Sequence, residues 1–310
     1  MIYSFMPSES VPVFPVFVDL ELKDRDVFQA FFSEYKPEIS ELTFTNLFVW
    51  RSHYKFQWSF YKDWLLIVSL EGEYGTYAME AVGPSPRDQV TRLVLEWLKE
   101  EKGEYNPRIE RADERIISEI EDMKGISIVP TRDHFDYVYL RDDLVKLAGN
   151  KYRSKRNHIN QLLRTYTYRY EELAPDHIED CVELQEKWCI LRRCEEDLDL
   201  LGEWDAVKEI LKCYDSLEVQ GAVITIESKV VAFTIGQMLN ENTAVVHIEK
   251  ADPEIPGLYP VINQRFCENN LKNAVYINRE QDLGIPGLRE AKLSYSPDHM
   301  IKKFRITLNQ

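Results

Sequence analysis

Three strand-like apolar runs follow one another at 55–61, 64–70 and 74–80, separated by the polar pairs Lys62-Asp63 and Glu71-Gly72. Short runs broken by such pairs read as strands joined by tight hairpin turns. The period then changes. Val90, Leu93, Val94, Trp97 and Leu98 recur at helical spacing and form one apolar face. A strand at 105–110, a second amphipathic helix (Ile116, Ile117, Ile120, Met123) and strands at 126–130 and 135–141 complete the half. Helical signals at 24–33 and 41–51 open it.

The second half repeats the order. Helices are predicted at 176–200 and 203–214, then strands at 219–227, 230–239 and 243–250, joined by Ser228-Lys229 and Asn240-Glu241-Asn242. A helix at 258–271, a strand at 274–277, a short helix at 286–294 and a last apolar stretch at 300–308 close the chain. Each half therefore reads as helices, a three-strand meander, then helix, strand, helix, strand. That order is similar to the acyl-CoA N-acyltransferase (GNAT-like) fold. The expectation is an α+β chain of two tandem GNAT-like domains, 1–145 and 146–310, the first degenerate. Other α+β sheets built on a meander share the pattern.

With 310 residues, 44% of them hydrophobic, the chain has material for two cores. No window approaches the roughly 18 consecutive apolar residues of a membrane span. The N-terminal 18 residues lack a basic n-region and a small-residue cleavage site, so they do not read as a signal peptide. A cytoplasmic protein is expected. Cys181, Cys189, Cys194, Cys213 and Cys267 form no Cys-x-x-Cys pair and match no zinc spacing. They suggest free thiols in a reducing compartment, and no metal is expected. A net charge of −15 sets the chain against polyanions on average, so any RNA contact requires a local basic patch. One exists: residues 151–169 hold six Lys/Arg and no Asp or Glu.

Three segments carry a family resemblance: Leu42-Thr43-Phe44-Thr45-Asn46-Leu47-Phe48-Val49-Trp50-Arg51, the basic run from Lys151 to Asn160, and the polar segment from Asn278 to Lys292. They resemble the DUF2156 family, which is related to the C-terminal catalytic domain of phosphatidylglycerol lysyltransferases and more distantly to Fem-type aminoacyl transferases. The resemblance covers nearly the whole chain and implies acyl or aminoacyl transfer. The long hydrophobic N-terminal region of the membrane-bound lysyltransferases has no counterpart here, which turns the expectation away from a lipid acceptor.

In a GNAT-like fold the helix after the fourth strand points its N-terminus at the donor's phosphates, where unpaired N–H groups and the helix dipole attract anions. Here that start is Gly257, Leu258 and Tyr259, with Pro260 in the first turn. The same residues also read as an ordinary Pro/Gly helix start. Lys151, Arg153, Lys155 and Arg156 are candidates for an anionic donor, a CoA thioester or an aminoacyl-tRNA, or form a solvated basic helix.

Acyl transfer to an amine needs a base and an acid. Val245, His247 and Glu249 face one way on the 243–250 strand, which makes Glu249 the candidate base or merely the strand's polar end. Tyr295 is the candidate acid or a buried structural tyrosine. If the strand at 274–277 continues to 280, Asn278, Glu280 and Asp282 share a face and hold a cationic amine. Arg289 and Lys292, three apart, share a helical face and pair with those acids. The leading expectation is acyl transfer from a CoA thioester to a small amine or amino acid. The alternatives are aminoacyl transfer from charged tRNA and a GNAT-like scaffold that binds without turnover.

Overall fold

The computed structural model describes residues 11–72, 74–192 and 198–309; Cys194 and the start of the N-terminal segment lie outside them. The chain divides into two compact units, Met1–Phe135 with Ile301–Gln310, and Asp136–Met300.

The first unit opens with β1 (Val18–Asp19), α1 (Arg25–Tyr35) and α2 (Phe44–Tyr54), the last capped by Thr43, which accepts from the Asn46 amide at 3.0 Å. The meander is β2 (Phe56–Tyr61), β3 (Trp64–Gly72) and β4 (Gly75–Ala78), antiparallel throughout. Then come α3 (Asp88–Glu100), β5 (Arg108–Ala112), α4 (Glu114–Ile120) and β6 (Ile126–Pro130). Asp113 caps α4, accepting from the amides of Arg115 (2.9 Å) and Ile116 (3.1 Å). The apolar face predicted for α3 is real: Val90, Val94, Trp97 and Leu98 are buried against Leu66, Val68 and Ile109.

The second unit contains β7 (Asp136–Leu140), α5 (Arg141–Lys146), α6 (Arg153–Thr165) and β8 (Tyr168–Glu172), followed by α7 (Ile178–Arg192) and α8 (Leu198–Lys212). Its meander is β9 (Gln220–Ile226), β10 (Lys229–Met238) and β11 (Thr243–Ala251). After it come α9 (Leu258–Asn269), β12 (Tyr276–Asn278), α10 (Pro286–Leu293) and β13 (His299–Ile301), and the chain ends on β14 (Phe304–Leu308).

Each sheet has seven strands, in the orders β1-β2-β3-β4-β5-β14-β6 and β13-β7-β12-β11-β10-β9-β8. Read from β8 to β13, the second order corresponds to the first position by position, which is the duplication expected from the pattern. They differ from the sequence reading in one respect. The order along the chain places the 135–141 run in the first half and 300–308 in the second. Instead β7 pairs antiparallel with β12 in the second sheet, and β14 lies between β5 and β6 in the first. Four of the five β7 residues are buried, so periodicity alone carries no mark of which sheet it joins.

The basic stretch forms α6 and runs into β8. Leu162 of α6 packs with Leu258 and Val261 of α9. Among the described residues no helix is long and apolar enough to cross a membrane. Cys181, Cys213 and Cys267 are free, but Cys189 is disulfide-bonded, which departs from the expectation of free thiols throughout.

Candidate active site at the splay of β11 and β12

In the second unit, β11 and β12 pair in parallel only where Thr243, Ala244 and Val245 meet Tyr276, Ile277 and Asn278. Beyond that point they part. β10 pairs Gly236 with Val246 and Ile235 with Ile248, so His247 is the extra residue of a bulge. On the other side β12 ends at Asn278, and a left-handed Glu280 (φ 56°) turns the chain away. The wedge between the strands is filled by side chains.

Arg279 lies at the centre. Its Nη2 donates to Glu249 Oε1 at 2.8 Å, and its guanidinium is 4.7 Å from the Tyr295 ring centroid and 5.7 Å from that of Tyr139. Asn263 of α9 donates to the other Glu249 oxygen at 3.0 Å. His247 Nδ1 is 3.0 Å from Glu280 Oε1. Two nitrogens here, Arg279 Nη1 and His247 Nε2, are buried and have no hydrogen-bond partner among the described residues. Buried nitrogens left this way are uncommon in folded proteins and ask for an explanation.

Two lysines border the same cluster. Lys155 of α6 sets its ammonium 3.9 Å from the centre of the Tyr295 ring. Burial, joined by the Arg279 charge and opposed by Glu249, brings its pKa down to about 8. Lys292 is half-buried and donates to the carbonyl oxygens of Arg279 and Glu280. Burial and Arg279 lower it to about 8 as well, against the pull of Glu280 and Asp136. Burial drives the Tyr295 phenol well above its ordinary range although Arg279 works the other way, so Tyr295 stays a neutral donor.

Of the sequence candidates, Glu249, Tyr295 and Lys155 come together here. The acids of the polar segment do not share a face, because the strand stops before Glu280. Asn278 donates to Asp136 (3.0 Å) and accepts from the Glu280 amide (2.8 Å). Glu280 turns to His247. Asp282 is fully buried, gripped by both Arg289 donors at 2.9 and 2.8 Å, by the Tyr137 hydroxyl at 2.5 Å and by the Gly284 amide at 2.8 Å. Burial opposes its ionisation, but these donors prevail and hold the carboxyl well below the usual range. The expected pairing of Arg289 with an acid is thus present, while Lys292 reaches carbonyls. Every partner in this network belongs to the second unit.

The phosphate-cradle residues are differently employed. Gly257 has a left-handed φ of 97°, and a Cβ there would come 2.5 Å from the His158 carbonyl oxygen. The missing side chain makes room for the backbone of α6. Leu258 is core, and Tyr259 is half-exposed. Lys187 pairs with Asp252 (2.8 Å) and Glu254 (2.6 Å) in the same loop. Gly257→Ala should therefore destabilise the protein by about 1–3 kcal/mol, measured by urea unfolding; a neutral effect would mean that the α6 contact is loose.

Among the remaining basic candidates, Lys151 pairs with Asp143 at 2.8 Å, Arg156 donates to the carbonyls of Leu147 and Gly149, and Arg153 is exposed. Sequence reasoning passed over Arg279, His247 and Asn263. An arginine immediately after an apolar strand, in a segment already singled out, was the available signal for the first. The alternation of His247 with Glu249 was the signal for the second. Among the described residues no group of three or more His, Cys, Asp or Glu is placed to hold a metal ion.

Residues 32–307 match the family model described as phosphatidylglycerol lysyltransferase, C-terminal. The chain belongs to that family. A conserved protein of unknown function from Bacteroides thetaiotaomicron VPI-5482 is 35% identical, with a TM-score of 0.87 over 94% of this chain and 99% of its own. L-PGS from Bacillus licheniformis has the same fold at 13% identity, with a TM-score of 0.64 over 97% of this chain and 95% of its own. A tandem GNAT protein from the clavulanic acid biosynthesis pathway aligns over 94% of this chain and 97% of its own, at 9% identity and a TM-score of 0.52. The GNAT-like fold, written twice, is thus the architecture of this lysyltransferase-family member.

Proposed function

We propose that the protein transfers an aminoacyl group from aminoacyl-tRNA to a nucleophilic amine or hydroxyl, with the β11–β12 wedge as its active site. Family membership supports this donor over the CoA thioester first expected, and Gly257, occupied by the α6 backbone, lends the CoA reading no help. The observation that carries the proposal is the unpartnered buried donor Arg279 Nη1, on the guanidinium that holds Glu249.

In the reaction, the acceptor atom attacks the ester carbonyl carbon, and the bond from that carbon to the terminal ribose oxygen breaks. Arg279 Nη1 supplies a hydrogen bond to the oxyanion that forms, where preorganised donors have their largest effect. Glu249, held by Arg279 and Asn263, takes the proton of the attacking group. Tyr295, kept neutral, gives a proton to the departing ribose oxygen. The Lys155 ammonium, over the Tyr295 ring, attracts the terminal phosphates.

The direct test supplies labelled aminoacyl-tRNA and offers small amines and phosphatidylglycerol vesicles as acceptors. Label appearing in an acceptor supports the reading. Loss of label no faster than in enzyme-free controls, or transfer only when a CoA thioester is supplied, overturns it.

The lowered pKa of Lys155 adds a pH signature. Its ammonium is charged below pH about 8 and loses its proton above it, so tRNA affinity should fall several-fold as pH rises from 7 to 9. Arg279 and Tyr295 face this amine and stay in one protonation state over that range. Lys155→Arg remains charged and should remove most of the fall. A profile as steep in Lys155→Arg as in the unaltered protein would remove Lys155 from phosphate binding.

A further inference from the structure

Two bridges cross the wedge between β11 and β12, and the proposed chemistry uses one of them. In the first, Arg279 reaches Glu249. In the second, His247 Nδ1 meets Glu280 Oε1 at 3.0 Å. Arg279 and Glu280 are consecutive beyond β12, and His247 and Glu249 are two residues apart on β11, so the bridges are neighbours. The backbone fixes both ends of the second. His247 occupies the bulge, while the Glu280 amide donates to Asn278 Oδ1 at 2.8 Å and its carbonyl accepts from the Tyr137 amide at 3.1 Å.

This second bridge has a defined polarity. A carboxylate only accepts, so the Glu280 contact places the imidazole proton on Nδ1 and leaves a lone pair on Nε2. Nε2 is buried without a hydrogen-bond partner among the described residues, and the His247 side chain is 4% exposed. A buried acceptor left open costs stability until a donor reaches it. Arg279 Nη1 is the opposite case, a buried donor. Each bridge therefore leaves one buried polar atom for a ligand to satisfy, a donor on one and an acceptor on the other.

An aminoacyl ester carries groups that complement both. Its carbonyl oxygen accepts, and its α-ammonium, attached to the carbon next to the carbonyl, donates. The ribose hydroxyl beside the ester is another donor, and charge separates the two. A carboxylate bonded to one imidazole nitrogen raises the basicity of the other, so Glu280 favours a cation at Nε2. The Arg279 charge nearby is balanced by Glu249 at 2.8 Å. A neutral hydroxyl gains much less from this arrangement.

We infer that His247 Nε2 accepts a hydrogen bond from the α-ammonium of the aminoacyl donor, with Glu280 as the positioning residue that fixes the tautomer of the ring. The wedge then selects donors with a free α-amine. The inference rests on the aminoacyl-transfer reading, but its first test needs no turnover. A 3′-deoxyadenosine carrying L-lysine through a 3′ amide keeps the α-ammonium and cannot give up its aminoacyl group. Its affinity is measured by isothermal titration beside a counterpart with a hydroxyl in place of the α-amine. The unaltered protein should bind the amine about 10–100-fold more tightly, the range of a hydrogen bond to a charged group.

His247→Ala should make the two affinities nearly equal. Glu280→Gln, which keeps the shape and removes the charge, should narrow the preference. His247→Gln, whose amide oxygen can stand in for Nε2, should restore part of it, and these two conservative variants carry the test if His247→Ala does not fold. A histidine that only packs the wedge would weaken both probes alike and leave their ratio unaltered. An unaltered ratio, equal affinities in the unaltered protein, or binding of neither probe overturns the inference. A His247-dependent loss on removing the 2′ hydroxyl, with none on replacing the α-amine, gives Nε2 to the ribose and overturns it as well.

Transfer assays separate this inference from the transferase reading. If labelled acyl groups move equally well from tRNA carrying the α-amine or the α-hydroxyl, His247 is removed from recognition and the transferase stands. If the probe ratio depends on His247 but no label moves, the recognition stands and the transferase falls.

Discussion

Lys303→Met is expected to destabilise the protein by about 3–5 kcal/mol, because it removes one partner from a buried ion network and leaves the other charged. Lys303 is fully buried in the first unit, with its ammonium 2.5 Å from Glu41 Oε2 and 3.4 Å from Ser40 Oγ. The second Glu41 oxygen is 3.3 Å from Arg111 Nε, and Arg111 also donates to the Tyr54 hydroxyl at 3.2 Å. Burial works to raise the Glu41 carboxyl, and the two cations overcome it, so Glu41 titrates below its ordinary value. A carboxyl depressed in the folded state stabilises above its unfolded pKa, and that stability is lost as pH falls through the folded value.

Without Lys303 the depression shrinks, and part of the stabilisation at neutral pH is lost with it. For a domain of this size the loss corresponds to a drop of roughly 6–20 °C in Tm. Urea unfolding at pH 7 measures it, and Glu41→Leu combined with Lys303→Met should not restore stability, since the buried Arg111 then loses its carboxylate. A loss below about 1 kcal/mol would mean that water reaches the pair and screens it.

Arg279→Met should reduce aminoacyl transfer by about 10²–10³-fold, the effect of losing one preorganised oxyanion donor. It would also strip Glu249 of its cation. The guanidinium is held between Tyr139 and Tyr295, and methionine approximates its volume while lacking every donor. The expected signature is a fall in kcat with little change in KM, because the phosphate contact at Lys155 remains. Glu249→Gln separates the two roles. It keeps the shape and the Asn263 contact but cannot take a proton, so transfer should drop while RNA affinity holds. A rise in KM with kcat unaltered in Arg279→Met would make the arginine a binding group and remove it from the chemistry.

Much of the fold was legible because it is local. The meanders announce themselves by turn pairs such as Lys62-Asp63 and Ser228-Lys229, and α3 by its apolar face. Both depend on neighbours within a few residues. The strands β7 and β14 join the other sheet from the one their place in the order predicts, for the opposite reason. Their partners are remote in sequence, and a short, doubly buried strand has the same composition in either sheet. The candidate site divides in the same way. Glu249, Tyr295 and Lys155 stood out as ionisable groups at the ends or faces of predicted elements. Arg279 and His247 did not, since their roles depend on a strand that stops at Asn278 and a bulge that singles out His247.

The order of elements, the twofold repeat and the basic segment in an acidic chain were determined by sequence alone, because each follows from side-chain periodicity or a local sum of charges. Only the tertiary structure decided that the acids of the 278–295 segment go separate ways, that Gly257 serves helix packing, and that the wedge closes around Arg279. Those outcomes depend on where two strands part and which backbone approaches which. Distances between residues far apart in the chain set them, and periodicity carries no record of such distances.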